Sequence, residues 1–87
     1  MAEYLLRDRD KAAFTSKMNK VLNQVKPGLE LSMEDFIDIP DMGGDDMSIF
    51  VTEEPIQEKM LDMLIAKKNF SYKIKKVNLK SIVDSIK

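Results

Sequence analysis

Residues 47–58 of the chain read MSIFVTEEPIQE, and the spacing of the apolar side chains changes within this stretch. Met47, Ile49 and Val51 occupy alternate positions, as on one face of a β-strand. The two glutamates and the proline that follow Thr52 favour a helix start, because the positive end of the helix dipole attracts carboxylates and proline is tolerated in a first turn. The stretch therefore predicts a strand that leads directly into a helix.

The helix after Thr52 is predicted to span about Glu53–Lys68. Thr52 can cap its first turn, and Lys67 and Lys68 lie in its last turn, where the negative end of the dipole favours cations. Asn69 tolerates the left-handed conformation with which many helices end. Apolar residues that recur every three to four positions predict the buried face, which comprises Ile56, Met60, Met63 and Leu64, widened by Leu61 and Ile65.

A hairpin is predicted before this helix. Apolar residues alternate along Leu29–Ile39, which indicates a strand, although Asp35-Phe36 interrupts the alternation. The interruption indicates either a β-bulge or a short helical turn that begins at Ser32. Residues 40–46, PDMGGDD, are rich in residues that reverse the chain, so this strand is predicted to pair in antiparallel fashion with Met47–Val51.

A first helix is predicted at about Asp10–Lys26, ahead of the hairpin. Asp10 can accept hydrogen bonds from the free amides of a first turn, and Pro27-Gly28 ends the helix because both residues disfavour its continuation. The helical spacing predicts one apolar stripe, which comprises Phe14, Met18, Val21, Leu22 and Val25.

The C-terminal part predicts a third strand and a short helix. Apolar and polar residues alternate from Phe70 to Ile74, which indicates a strand at about Phe70–Val77. Asn78 can cap a following helix, which is too short to be stable unless it docks on another part of the chain. Its apolar positions fit the helical template and comprise Leu79, Ile82, Val83 and Ile86.

These elements predict a single small α+β domain over residues 1–87, because 87 residues are too few for two cores. The preferred order is αββαβα, with a small antiparallel sheet, two main helices on one face and a short C-terminal helix. If Tyr4-Leu5-Leu6 forms a strand, the order becomes ferredoxin-like, βαββαβ. Residues 1–9 are thus expected to be a strand, a flexible arm or an extension of the first helix. The three-stranded interpretation is preferred because the charge alternation of Arg7-Asp8-Arg9-Asp10 is typical of neither helix nor strand.

The charges are strongly segregated along the chain. Residues 27–58 contain ten carboxylates and no lysine or arginine, whereas residues 1–26 carry six bases against three acids and residues 59–87 carry eight against two. The overall net charge of −1 is therefore the sum of +3, −10 and +6. Such a field steers partners and selects the sign of their charge.

The residue types exclude most catalytic chemistry. The chain has no histidine, cysteine or tryptophan, so it lacks the usual neutral-pH proton shuttle, the thiolate nucleophile and the nitrogen or sulfur metal ligands. Asp38, Asp41, Asp45 and Asp46 lie close in sequence, but their spacing does not match a calcium loop. We therefore expect no enzyme, no metal and no cofactor. The lack of cysteine and of a long apolar segment predicts a cytoplasmic protein, and lysine outnumbering arginine twelve to two hints at a low-GC bacterium or a phage.

The acidic block leads to the preferred functional hypothesis, which is an inhibitor or modulator that binds a protein with a basic surface. Closely spaced carboxylates on a hairpin can imitate a nucleic-acid backbone and give fast, salt-sensitive association. The same carboxylates can also serve only to keep a small protein soluble. The predicted protein-binding residues are Glu34, Asp35, Asp38, Asp41, Asp45, Asp46, Glu53 and Glu54.

The alternative hypothesis is an RNA- or DNA-binding accessory protein, because lysines beside aromatic rings provide phosphate-binding charge and stacking surfaces. A strand-face platform of the RNA-recognition type is disfavoured, since Met47–Val51 lacks paired aromatic residues. A self-associating structural protein is a third interpretation. The predicted nucleic-acid-binding residues are Lys67, Lys68, Tyr72, Lys73, Lys75, Lys76 and Lys80.

Overall fold

The structure, a computed structural model, describes residues 1–78, and the short helix predicted after Asn78 lies outside them. The strands and helices follow one another in the order βαββαβ, with 3₁₀ turns at Asp8–Asp10 and Met33–Asp35. The elements are β1 (Ala2–Arg7), α1 (Lys11–Val25), β2 (Phe36–Met42), β3 (Asp45–Thr52), α2 (Pro55–Ala66) and β4 (Lys75–Val77).

The four strands form one antiparallel sheet in the order β2-β3-β1-β4. The predicted α+β class and the antiparallel hairpin are confirmed. The preferred order αββαβα is wrong because it omits β1, and the alternative order βαββαβ, with a strand at Tyr4-Leu5-Leu6, is the one observed. Residues 2–7 pair with β3 on one side and with β4 on the other, so long-range pairing defines this strand. The charge alternation at Arg7-Asp8-Arg9-Asp10 is explained by the 3₁₀ turn that follows the strand directly.

Both helices pack on one face of the sheet. Alternate residues of β1 point to this face, and Ala2, Tyr4 and Leu6 are buried there. Such alternation is what a strand with one covered face requires. The other buried apolar residues of this core come from α1, the following loop, β3 and α2, and they are Phe14, Met18, Leu22, Leu31, Phe50, Leu61 and Leu64.

An aromatic cluster occupies the centre of this core. The ring centroid of Phe50 lies 5.5 Å from that of Phe14, 5.5 Å from that of Phe36 and 6.4 Å from that of Tyr4. Phe14 and Phe36 meet edge to face at 5.9 Å. These separations and tilts are within the range that favours aromatic pairs, so the cluster joins α1 to three strands.

The two main helices are confirmed, but the buried face of α2 differs from the predicted stripe. Ile56 and Met63 are 41% and 39% exposed, whereas Gln57 is only 7% exposed and lies on the core side with Leu61 and Leu64. Only Ile56 and Met63 were wrongly placed on the buried face, where the polar side chain of Gln57 lies instead. The other predicted residues do lie in the core or pack against it, and they are Met60, Leu61, Leu64 and Ile65.

The strand predicted at Leu29–Ile39 is wrong in its first half. Residues 29–32 are not strand, and a capping box at Ser32 and Asp35 begins the 3₁₀ turn, so β2 starts only at Phe36. Leu31 is buried although it is not in a strand. The Asn19 side chain holds its backbone, because it accepts a hydrogen bond from the Leu31 amide at 2.6 Å and donates one to the Leu31 carbonyl at 3.2 Å.

The strand predicted at Phe70–Val77 is also too long, because only Lys75–Val77 is paired. The preceding residues follow an irregular path, and the Phe70 ring packs at 5.9 Å from Phe14. The alternation of apolar residues here therefore reflects partial burial against the core without strand pairing. The left-handed residue after α2 is Lys68, with a φ of 55°, where Asn69 had been expected.

The buried face of α2 can be tested with two neighbouring substitutions. Leu64→Ala should lower the free energy of unfolding by about 2–5 kcal/mol, because it leaves a cavity in the core. Met63→Ala, one position away on the exposed side, should cost less than about 1 kcal/mol. Urea unfolding followed by circular dichroism measures both, and equal losses would contradict the assigned face.

Candidate functional site

The hairpin divides the predicted acidic site into two groups. Strand β2 connects them, its seven residues span about 20 Å, and Asp38 lies within the strand. We call the carboxylates of β2 and those beside the Gly43-Gly44 turn the tip group, which comprises Asp38, Asp41, Asp45 and Asp46. We call those at the other end of the hairpin the cleft group, which comprises the predicted residues Glu34, Asp35, Glu53 and Glu54 together with Glu30, which was not predicted.

Basic residues partly neutralise the tip group. The Lys11 ammonium lies 2.9 Å from the Asp38 carboxylate and 3.1 Å from that of Asp8, and the Ser48 hydroxyl also donates to Asp38, at 2.8 Å. The hydrogen bonds from Lys11 and Ser48 hold the pKa of Asp38 below its usual value, and the pKa of Lys11 is raised in turn. Asp38 therefore has a structural role at the junction of β2, β3 and α1.

The other tip carboxylates lie in or beside the turn. Asp46 accepts a hydrogen bond from the Asp41 amide at 3.1 Å, and Asp41 itself has a left-handed backbone with a φ of 54°. Asp45 lies 3.9 Å from the Arg7 guanidinium across the sheet. These contacts explain the aspartates mainly as turn-forming residues, which tolerate the left-handed conformation and accept from nearby amides.

The cleft group surrounds an open cleft of about 580 Å³. Its walls come from the loop before β2, the facing ends of β2 and β3, and the N-terminus of α2. Leu29, Ile37 and Val51 provide apolar side chains in the same cleft. The remaining lining residues are Gly28, Thr52 and Gln57, together with all five carboxylates of the cleft group.

The carboxylates of the cleft group lack basic partners within residues 1–78. The side chains of Glu34, Glu53 and Glu54 form no ion pair or hydrogen bond with another residue in this range, whereas Glu30 and Asp35 accept from the backbone amides of Gly28 and Ser32. No lysine or arginine of the described part lines the cleft. Among residues 1–78, the negative charge that has no basic partner is therefore concentrated in the cleft group, whereas the tip group is partly paired.

Gln57 holds the walls of the cleft together. Its amide nitrogen donates to the Leu29 carbonyl at 2.6 Å, and its side-chain oxygen accepts from the Thr52 hydroxyl. Thr52 in turn accepts from the Glu54 amide at 3.0 Å, before the first turn of α2. Gln57 was not among the predicted site residues, although its i, i+4, i+7 spacing with Leu61 and Leu64 marks it as a polar residue on a buried stripe.

The predicted lysine site is not assembled as one surface. Lys76 lies 3.0 Å from both Glu58 and Asp62, and its ammonium stands 5.7 Å from the centre of the Tyr4 ring. The register places Lys75 on the opposite face of the sheet. The other residues of this site within residues 1–78 are Lys67, Lys68 and Lys73, which are exposed, and Tyr72, while Lys80 lies outside the described residues.

Tyr72 is poorly placed to stack on a nucleic-acid base. Its ring is half-buried and packs 5.6 Å from that of Phe70, and both belong to the periphery of the core. Burial, together with the negative charge of Asp10, raises the pKa of the Tyr72 phenol. The aromatic half of the predicted nucleic-acid site is therefore largely used in packing.

A buried tyrosine anchors the network around Lys76. The Tyr4 hydroxyl donates to Asp62 at 2.7 Å, and burial and this bond raise the pKa of Tyr4 far above its usual value. Burial tends to raise the pKa of Asp62, but the hydrogen bonds from Tyr4 and Lys76 outweigh it and leave that pKa lowered. The network joins β1, α2 and β4.

Residues 1–78 contain no group of three or more carboxylates placed to hold a metal ion. Within the same range, no helix is both long enough and apolar enough to cross a membrane. Comparison with protein-family models, with curated proteins and with solved structures finds no match to this chain in any of the three. The function is therefore inferred from the geometry of the chain itself.

The role of Gln57 in the cleft can be tested by substitution. Gln57→Ala should lower the free energy of unfolding by about 1–3 kcal/mol, because the Leu29 carbonyl and the Thr52 hydroxyl both lose a buried partner. Gln24→Ala, the same change at an exposed position of α1, is the matched control and should have little effect. Equal urea midpoints for the two variants would contradict the bridging role.

The Asp62 network predicts a defined acid sensitivity. Because the pKa of Asp62 is lower in the folded chain, its contribution to stability is present above the unfolded pKa of about 4 and is lost as the pH falls through the folded value. Asp62→Asn should therefore flatten the decline of unfolding free energy between about pH 5 and pH 2. Tyr4→Phe should flatten it in part. An unchanged acid slope in both variants would be inconsistent with the network.

Proposed function

We propose that this protein is a non-enzymatic interaction protein that inhibits or modulates a partner by binding a basic segment of it in the acidic cleft. The observation that carries the proposal is the set of Glu34, Glu53 and Glu54, which surround one cleft without basic partners among residues 1–78. The lack of cysteine is compatible with work in the reducing cytoplasm.

The chemistry of the cleft favours lysine- or arginine-bearing ligands. A cationic side chain that enters it can form charge-assisted hydrogen bonds with carboxylates for which the described part of the chain supplies no competing base. The aliphatic part of the same side chain can pack on Leu29, Ile37 or Val51, since long basic residues bury their stems along apolar surface. A partner segment that alternates basic and apolar residues would use both features.

The two acidic groups are proposed to act differently. The cleft group would make the close contacts, because its carboxylates form no ion pair with the bases of residues 1–78 and Gln57 fixes its walls. The tip group, partly paired with Arg7 and Lys11, would contribute chiefly to long-range attraction of a basic partner. Association should therefore be fast at low ionic strength and should slow as salt is added.

Nucleic-acid binding through the lysines has less support. Lys76 is engaged by Glu58 and Asp62, and Tyr72 is engaged in packing. The sheet face opposite α1 and α2 carries aliphatic residues along β3 and, as far as residue 78, no aromatic platform. Nucleic-acid binding through the lysines remains the alternative against which the proposal is tested.

Two charge-reversal variants separate the roles of the acidic groups. Glu34→Lys, Glu53→Lys and Glu54→Lys together should weaken binding of a peptide of alternating lysine and leucine by at least about tenfold, because several attractive contacts become repulsive. Asp41→Lys, Asp45→Lys and Asp46→Lys together reverse the same number of charges at the tip. This matched control should mainly reduce the association rate. Calorimetry and stopped-flow fluorescence measure affinity and rate.

A third variant tests the alternative. Lys67→Glu, Lys68→Glu and Lys73→Glu together leave the Lys76 network intact and should not weaken peptide binding. If the wild type binds single-stranded oligonucleotide tightly and this variant alone loses that binding, the proposal is wrong. Pull-down from host lysate with and without nuclease would then show whether capture depends on nucleic acid. Peptide affinity that is equal in the cleft and tip variants would also contradict the proposal.

A further inference from the structure

Another pocket lies at the C-terminal end of α2, and it is lined mainly by apolar and aromatic side chains. Its volume is about 290 Å³, and it shares no lining residue with the acidic cleft. About ten water molecules occupy that volume in the liquid, so the pocket suits a small ligand. We call it the lysine pocket, and its lining residues are Ile65, Lys68, Phe70, Tyr72, Lys73 and Ile74.

The lysine pocket combines an apolar lining with positive charge. Its four apolar and aromatic residues are half-buried and pack against the core, so they form a fixed surface. Lys68 and Lys73 are exposed beside them. As far as residue 78, no carboxylate lines the pocket and none forms an ion pair with either lysine. The described part of the chain therefore supplies no competitor for an anion that binds these two lysines.

Lys68 has a backbone conformation that a lysine disfavours. Its φ of 55° lies in the left-handed region. The Lys68 amide donates to the Ile65 carbonyl and the Asn69 amide donates to the Leu64 carbonyl, both at 3.0 Å, which is the hydrogen-bond pattern of a Schellman motif. Glycine usually occupies the left-handed position of this motif, because it has no Cβ to clash with the backbone. The lysine therefore carries its charge to the pocket at a cost in stability that glycine would avoid.

Tyr72 has a second locally unfavourable feature. Its hydroxyl is buried, and it has no hydrogen-bond partner among residues 1–78. A buried hydroxyl of this kind has lost its contact with water without compensation. Features that lower local stability are concentrated at functional sites in proteins. Two of them, the backbone of Lys68 and the hydroxyl of Tyr72, belong to residues that line one pocket.

We propose that the lysine pocket binds a small amphipathic carboxylate, whose head pairs with Lys68 and Lys73 and whose apolar body packs on the apolar lining. The two lysines select an anionic head, because they can form charge-assisted hydrogen bonds with it. The lining selects an apolar body, since each buried CH₂ group adds to the affinity. The carboxylate also offers an acceptor to the Tyr72 hydroxyl. This inference is independent of the proposed function, because the pocket and the cleft have no lining residue in common.

NMR titration of the full-length, isotope-labelled chain with octanoate tests the proposal. Octanoate should shift the amide signals of Phe70, Tyr72 and Ile74 saturably, with a Kd below about 1 mM. Hexanoate, which is shorter by two CH₂ groups, should bind about tenfold more weakly. Acetate lacks the apolar body and octylamine carries the opposite charge, so neither of these matched controls should shift the three signals.

Substitutions separate ligand binding from a purely structural role. Lys68→Gly should raise the urea midpoint, because glycine relieves the left-handed strain, and yet it should weaken octanoate binding at least about fivefold. Tyr72→Phe removes the unpaired hydroxyl and should weaken octanoate binding without lowering the urea midpoint. Lys67→Gln is the matched control, since it removes the charge of an adjacent residue outside the pocket. It should leave the octanoate affinity within about twofold of the wild type.

The absence of saturable shifts with octanoate would overturn the proposal, and so would equal affinities for octanoate and hexanoate. An octanoate affinity that Lys68→Gly leaves unchanged would also overturn it. A lower urea midpoint for Lys68→Gly would contradict the strain on which the argument depends. If only a single-stranded oligonucleotide or a peptide of alternating glutamate and leucine shifts the three signals, the lysines serve a macromolecular partner and the proposal of a small ligand is wrong.

Discussion

The contact of Phe50 with rings from three other elements is the constraint on which the rest of the structure depends. Phe36, Phe50 and Tyr4 are direct partners in one row of the sheet, and Phe14 of α1 lies over them. The row fixes the register of β2 against β3 and of β3 against β1, because a shift of one residue would turn these rings to the other face. The cleft at the end of the hairpin depends on that register.

The elements that the sequence predicts well are those defined by local signals. Both helices and the hairpin follow from apolar periodicity and from the Gly43-Gly44 turn, and these signals do not depend on distant residues. Strand β1 could not be derived with the same certainty, since it is stabilised by pairing with β3 and β4 far along the chain. Gln57 and Asn19 were missed for a related reason, because the backbone groups that they satisfy belong to the loop that contains Leu29 and Leu31.

The sequence shows one acidic block, whereas the structure shows two acidic environments. A linear charge count gives the same weight to Asp38, which is held by Lys11, and to Glu53, which has no basic partner among residues 1–78. Only the three-dimensional arrangement separates carboxylates that stabilise the hairpin from carboxylates that surround a cleft. The same applies to the lysines. Lys76 forms ion pairs with Glu58 and Asp62, whereas the adjacent Lys75 lies on the opposite face of the sheet.

The edge strand β2 has a consequence for how any partner can attach. Its pairing with β3 is irregular between Ile39 and Met42, Pro40 lacks an amide hydrogen, and Asp41 has a left-handed backbone. Interruptions of this kind prevent an edge from templating further strands. An extended peptide could not readily add to the sheet through main-chain hydrogen bonds along this edge. The same irregularity should protect the chain from edge-to-edge stacking into fibrils at high concentration.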